Sequence, residues 1–287
     1  MTDQSREKPP RRWLISGVSS GFGRILAEAA LARGDSVAGT LRKVEQVAAF
    51  EALAPGRAHA VLLDVCEAER IGPAVAQVLQ RLGGVDVLVN NAGYGLFGAV
   101  EEISDGEARQ VIETNFFGTL NLIRALLPQL RKQGGGSIVN LSSLAGVLGM
   151  PGVGLYCAAK HAIEGLSESL AAELAPFGIR VLIVEPGGFR TDFAGRSMSV
   201  AQQPLPAYDA TPAGKTRNGM AHYAGHEPGD PVKAMSTLIA VLESPNPPLR
   251  LVLGADAMAA VRGKLARVAA DVDAWEAVSA ATAIEVR

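Results

Sequence analysis

Seven short apolar runs alternate with stretches of helical character along this chain, and that alternation restricts its fold more than any other feature. The runs fall at residues 13–15, 36–40, 58–63, 85–89, 137–141, 179–184 and 249–253. Between them, residues 25–32, 45–53, 68–82, 105–131 and 156–175 read as helices. The fourth of these reads either as one helix or as two segments joined near Asn115. In the first, Ile25, Leu26, Ala29 and Ala30 share a face, and Gly34 ends the segment. Run 85–89 is apolar enough to be buried on both sides. Such alternation predicts parallel strands with helices covering both faces of the sheet. Right-handed crossovers make that sheet doubly wound. The expected fold class is α/β, with a seven-stranded, doubly wound parallel sheet.

The alternation fails between residues 191 and 230, which are rich in Pro, Gly, Gln, Ser and Met. A long irregular stretch inside a compact domain is typically a functional lid, here expected to carry short helices. Residues 256–280 read as a helix that closes the domain. Residues 1–11 read as a disordered tail, with Arg11 and Arg12 as solvated charges. No linker or internal repeat divides residues 12–287, which are expected to form one domain.

Composition narrows the possibilities further. The 287 residues are 48% hydrophobic and 20% charged, with a net charge of −2, which excludes disorder as the bulk state. A chain of this length buries a full core without covalent staples. Its two cysteines, Cys66 and Cys157, exclude a disulfide scaffold and fit a reducing compartment. A pI near 6.1, with no basic run, argues against a nucleic-acid partner. The first ten residues lack the apolar core of a secretory signal. No eighteen apolar residues run together, so no membrane partner is expected. A cytoplasmic location is the expectation.

Three motifs carry chemistry. Ser16-Gly17-Val18-Ser19-Ser20-Gly21-Phe22-Gly23 follows a strand and opens a helix. Glycines there permit a tight turn and a close backbone approach to a pyrophosphate, with the helix N-terminus offering free N–H groups. Asn90-Asn91-Ala92-Gly93 lies at the carboxyl end of the fourth strand, where open α/β sheets bind ligands. Its Asn side chains can tie neighbouring strands together. Ser143 is followed by Tyr156 and Lys160. The last two are i and i+4 on one helix and share a face. An ammonium beside a phenol lowers its pKa, so such a tyrosine can act as a general acid or base. His222 and His226 are four apart, but with no third ligand they are not expected to bind a metal.

Together these residues resemble the short-chain dehydrogenase/reductase family in its single-domain branch, and most resemble its hydroxysteroid-dehydrogenase-like group. The resemblance rests on Ser16-Gly17-x-x-x-Gly21-x-Gly23, Asp64, Asn90-Asn91-Ala92-Gly93, Asn115, Ser143, Tyr156-x-x-x-Lys160 and Pro186-Gly187. It spans about residues 12–192. Ser16 stands where the family commonly has Thr. The resemblance implies a Rossmann-type sheet and an enzyme acting on CH–OH groups. It implies that Tyr156 exchanges a proton with a carbonyl or alcohol oxygen and that Ser143 hydrogen-bonds that oxygen. Lys160 would hold the nicotinamide ribose, and Asn115 would position a water linking Lys160 to solvent. The cofactor would lie against Gly17, Ser19, Ser20, Gly21, Phe22 and Gly23. Asp64 and Val65 would meet its adenine, and Asn91, Ala92 and Gly93 its ribose. Pro186, Gly187, Phe189 and Thr191 would flank the nicotinamide. Homo-oligomers, dimers or tetramers, are implied as well.

The second strand ends in Thr40-Leu41-Arg42-Lys43. In dinucleotide folds an acid near this position binds the 2′-hydroxyl of NAD, whereas an arginine accommodates the 2′-phosphate of NADP. Leu41 stands at the acid's position. Arg42, with a hydroxyl from Thr40 and a second cation from Lys43, therefore points to NADP(H). Substrate contacts are expected from Ser143, Leu144 and Tyr156, and the apolar lid residues suggest a hydrophobic ketone, aldehyde or secondary alcohol. The alternative is a non-catalytic NADP(H)-binding redox sensor, which could dispense with the catalytic pair.

Overall fold

The computed structural model describes residues 9–195 and 197–284. Strands β1 (Arg12–Ile15), β2 (Ser36–Leu41), β3 (Ala58–Leu62) and β4 (Val87–Asn90) alternate with helices α1 (Gly21–Ala32), α2 (Val47–Glu51) and α3 (Ala68–Leu82). A short strand β5 (Gly95–Phe97) precedes α4 (Asp105–Ile112), α5 (Gly118–Gln133), β6 (Gly136–Leu141), α6 (Gly154–Leu174) and β7 (Ile179–Pro186). Strand β8 (Met198–Val200), helices α7 (Pro212–Tyr223) and α8 (Pro231–Glu243), strand β9 (Arg250–Leu253) and helix α9 (Ala255–Ala280) complete the chain.

Seven strands form one sheet in the order β3-β2-β1-β4-β6-β7-β9, and every pairing is parallel. The order reverses between β1 and β4, which opens a crevice at the carboxyl ends of those strands. One core layer joins Trp13, Leu26, Phe50, Val89 and Leu182 to Met235 and Leu238 of α8. The other joins Leu14, Leu88, Leu122, Leu126 and Ile138 to Leu170 of α6. Alternate residues of one strand, Trp13 and Leu14, thus feed opposite layers. The sheet is the expected doubly wound, Rossmann-type one.

Several boundaries differ from expectation. Arg12 begins β1 rather than ending a tail, and its guanidinium is fixed by Asp86 at 2.7 Å. The Arg11 backbone N–H donates to Asp35 Oδ1 at 2.8 Å, and the Trp13 indole donates to Asp35 Oδ2 at 2.8 Å. One carboxylate therefore fastens the chain entering the sheet. The rest of the expected tail, apart from Pro9 and Pro10, lies outside the described residues. The helix expected over 105–131 is two helices joined by a single π-helical turn, Glu113–Phe117. The 191–230 stretch contributes β8, which pairs in parallel with β5 in a separate two-stranded sheet. Helix α9 does not close the domain: among its described residues only Ala257 is buried.

Candidate active site

The site begins at the β1–α1 turn. Gly17 takes φ +74°, where a side chain would be strained, and a Cβ on Gly23 would lie 2.3 Å from the Gly17 carbonyl oxygen. The turn is held from the neighbouring strand ends. Ser16 Oγ accepts from the backbone N–H groups of Asn91 (2.9 Å) and Ala92 (3.0 Å). Asn91 Nδ2 donates to the carbonyls of Ser16 and Gly17, each at 2.9 Å. The Gly17 N–H donates to Thr40 Oγ1 at 2.9 Å. Thr40 is buried, and its hydroxyl oxygen braces this turn by accepting that N–H, with its own O–H left to donate.

Around the turn lies a cleft of about 480 Å³. Its lining includes Gly17, Ser19, Ser20, Gly21, Phe22, Thr40, Arg42, Asp64, Val65, Asn91, Ala92, Gly93 and Thr191. Arg42 is exposed on its rim, with no carboxylate in salt-bridge reach among the described residues. Leu41, beside it, is buried. Lys43 is exposed but does not line the cleft, so the second cation expected there is absent from its wall. Asp64 Oδ1 accepts from the Cys66 N–H at 3.0 Å.

A second cavity, of about 370 Å³, adjoins the first. The two share Phe22, Asn91, Gly93, Thr191 and Phe193. Ser143, Leu144, Tyr156, Lys160, Asn115, Pro186, Gly187 and Phe189 all line the second. Helix α6 supplies Tyr156 and Lys160, one turn apart and both buried. Its rotation is fixed by a chain of side-chain bonds. Asn90 Nδ2 donates to Asn140 Oδ1, and Asn140 Nδ2 to Ser167 Oγ, both at 2.8 Å. The asparagines thus tie β4, β6 and α6 together.

Lys160 Nζ donates to the Leu141 carbonyl at 2.6 Å and lies 5.7 Å from the centroid of the Tyr156 ring. Burial lowers the lysine pKa to about 8, against the opposing pull of Glu164. Burial raises the Tyr156 phenol above its ordinary value, and the hydrogen bond with Ser143 draws it partly back. The expected lowering by Lys160 is therefore not what the geometry gives: desolvation of the phenol dominates. The Asn115 amide is saturated by protein, donating to Tyr94 and Val111 carbonyls at 3.1 and 2.9 Å. Its Oδ1 accepts from the Tyr94 N–H at 3.2 Å. Behind Lys160, Arg250 reaches Glu164 and Glu185, each at 3.0 Å. Burial, with Glu164 close by, pushes Glu185 up to about 7.

Sequence reasoning missed several lining residues. Met150 and Val153 come from the loop before α6, Thr216 and Tyr223 from α7, and Glu227 and Asp256 from farther along, whereas Met220 of α7 and Phe193 were expected from the apolar composition of the lid. Asp256 accepts from the Gly188 N–H at 2.8 Å. Glu227 is buried, and its Oε2 has no hydrogen-bond partner. Thr216, Tyr223 and Glu227 are brought in by the fold of the 191–230 stretch, and Asp256 by the first turn of α9. That stretch is anchored by a buried ion pair between Arg217 and Glu102. Glu102 also accepts from the N–H groups of Ala99 (2.7 Å) and Leu205 (2.8 Å). Among the described residues no cluster could hold a metal ion. The side chain of His222 lies outside them. No described helix is long and apolar enough to cross a membrane.

Comparison with known proteins gives a consistent picture. The sequence profile of short chain dehydrogenases matches residues 11–201. An oxidoreductase of Botryotinia fuckeliana, BOA17, is 40% identical over 273 residues, covering 94% of this chain and 98% of that protein. Human retinol dehydrogenase 8 is 38% identical over 258 residues, covering 84% and 80%. Among solved structures, a short-chain dehydrogenase from Streptomyces avermitilis is 46% identical, with a TM-score of 0.89 and coverage of 99% and 100%. One from Burkholderia cenocepacia in complex with NADP is 28% identical, with a TM-score of 0.70 and coverage of 92% and 96%. A Burkholderia phymatum structure in complex with NAD is 24% identical, with a TM-score of 0.75 and coverage of 88% and 92%, and shares the fold. A profile match across two thirds of the chain and near full-length relatives lead to one conclusion: the chain belongs to the short-chain dehydrogenase/reductase family.

Proposed function

We propose that this protein is an NADP(H)-dependent oxidoreductase that interconverts a carbonyl and an alcohol on a hydrophobic small molecule. One observation carries the reading: Ser143, Tyr156 and Lys160 converge in a largely apolar cavity that opens into the glycine-lined cleft. The cleft fits a dinucleotide, because Gly17, Ser19, Ser20 and Gly21 line it on a turn kept tight by the bare approach of Gly23 to the Gly17 carbonyl, and Arg42 stands at its rim without a carboxylate partner among the described residues. Gly17 to Gly23 would cradle the pyrophosphate, Asp64 and Val65 the adenine, and Pro186, Gly187, Phe189 and Thr191 the nicotinamide end. Bound NADP(H) would supply or accept the hydride. Tyr156 would donate its proton to the carbonyl oxygen in reduction and take it back in oxidation. Its raised pKa keeps it protonated, as a proton donor must be. The Ser143 hydroxyl would hold the substrate oxygen, and Lys160 would place a positive charge at that wall. Glu227, with an unpartnered oxygen in the same cavity, would accept from a donor group on the ligand.

A guanidinium beside an apolar Leu41 favours the 2′-phosphate, and the NADP complex of a relative agrees. The name of one relative, retinol dehydrogenase 8, is in keeping with an alcohol or carbonyl substrate in an apolar cavity. The deciding test follows oxidation of NADPH and NADH against a panel of apolar and polar carbonyls. Turnover of apolar carbonyls with NADPH is expected. Tight NADPH binding with no turnover of any carbonyl would identify a redox sensor instead.

Two further outcomes are expected. Lys160 is an ammonium below about pH 8 and neutral above it, so carbonyl reduction should decline as pH rises through that value. A profile with no break there contradicts a role for its charge. The second concerns the Glu102–Arg217 anchor. Burial alone would raise the Glu102 pKa, but hydrogen bonds from Leu205, Ala99 and Arg217 bring it below the ordinary value. The carboxylate therefore stabilises the fold above the unfolded pKa, about 4.3, and that stability is lost as pH falls through the lower folded value. Removing one partner of a buried pair costs about 3–5 kcal/mol. Glu102→Ala should lower the unfolding free energy on that scale and speed hydrogen exchange in α7. Unchanged exchange in α7 would show that the pair does not hold the lid.

A further inference from the structure

Helix α9 carries a face that the fold leaves uncovered. Met258, Val261, Leu265, Val268, Val272 and Trp275 recur at alternating intervals of three and four residues. That is the spacing of a helix seam that packs against another helix. Yet Leu265, Val272 and Trp275 are 60%, 62% and 64% exposed, and α9 touches the sheet only through its first turn, where Ala257 is buried. Six of the exposed large apolar residues lie on this one helix. Among the described residues, α5 and α6 carry none of them.

The charges of α9 identify the occupant. The half nearer the sheet carries Arg262, Lys264 and Arg267, and the far half Asp271, Asp273 and Glu276. None of the six has an ion-pair partner among the described residues. This order does not serve the helix dipole, which favours acids toward the N-terminus and bases toward the C-terminus. It is complementary to itself when reversed. We propose that α9 docks antiparallel against α9 of a second copy of this chain, with the twofold axis near Ala270. In that register Leu265 faces Trp275 of the second copy, and Val268 faces Val272. The basic half of each helix lies along the acidic half of the other. A parallel pair would set like charges together, whereas the twofold arrangement repeats each favourable contact twice.

The test uses two full-length variants: Arg262→Glu/Lys264→Glu/Arg267→Glu, and Asp271→Lys/Asp273→Lys/Glu276→Lys. Sedimentation velocity should show wild-type assembly through this face and, because like charges then oppose each other, dissociation constants raised at least about a hundredfold in each variant alone. An equimolar mixture of the two should restore assembly, which also shows that both variants fold. Trp275 emission should shift to the blue on assembly, while Trp13, already buried, should not respond. Three results would each overturn the proposal: a monomeric wild type, variants that assemble as the wild type does, or a mixture that fails to assemble. Wild-type binding to vesicles of phosphatidylcholine and phosphatidylglycerol, with assembly unaffected by the substitutions, would assign the face to a lipid surface instead.

Discussion

Tyr156→Phe is expected to lower turnover at least about a hundredfold, the scale of a lost acid–base group, while NADPH affinity stays near wild type. The substitution removes one oxygen and little volume. The ring is buried, with its centroid 5.6 Å from that of Phe193 at a tilt of 50°, so the phenyl group keeps that packing. What is lost is the proton aimed at the substrate oxygen and the hydrogen bond with Ser143. Cofactor fluorescence titration beside steady-state turnover separates the two effects. A variant that turns over at near wild-type rate would remove Tyr156 from the chemistry. A variant with lost NADPH binding would make it a structural part of the cofactor wall.

The second large effect is on cofactor choice. A charge-assisted hydrogen bond to phosphate contributes about 1.5–3 kcal/mol, and each 1.4 kcal/mol is about tenfold in affinity. Arg42→Ala should therefore weaken NADPH at least about tenfold and leave NADH nearly unchanged, because Arg42 is exposed at the cleft rim and holds up no other group. Leu41→Asp places a carboxylate where the 2′-phosphate would lie and gives an acceptor to a ribose hydroxyl, so the ratio of kcat/KM for the two cofactors should invert. Leu41 is buried, and the variant's thermal unfolding must be followed alongside. A wild-type enzyme that prefers NADH would refute the reading of this strand end.

The sheet was legible in the sequence because parallel strands are covered on both faces and so appear as unbroken apolar runs. The glycine turn and the Tyr156–Lys160 spacing were legible because each is fixed within one turn of chain. What escaped notice depends on distant partners. Gly95–Phe97 and Met198–Val200 are too short to signal strands, and they pair across about a hundred residues. Arg12 looked like a solvated charge because its partner, Asp86, is far along the chain. The bracing role of Thr40, whose hydroxyl oxygen accepts from the Gly17 N–H, joins two strand ends that are far apart in the chain. The phenol's pKa was misjudged because sequence spacing gives the nearby ammonium but not the burial that outweighs it. Glu227 and Asp256 reach the cavity only through the fold of the stretch that holds them.

The Asn90–Asn140–Ser167 chain has a consequence for heredity as well as for geometry. It fixes the phase of α6 relative to the sheet, and Tyr156, Lys160, Glu164 and Ser167 all lie on the helix's buried side. One inserted residue between Lys160 and Ser167 turns every later side chain by about a hundred degrees. The Asn140 bond and the Tyr156–Lys160 pair then cannot both keep their places. Inheritance of the site is therefore inheritance of a register: Ser143, Tyr156 and Lys160 stay together only while α6 keeps its phase on the sheet.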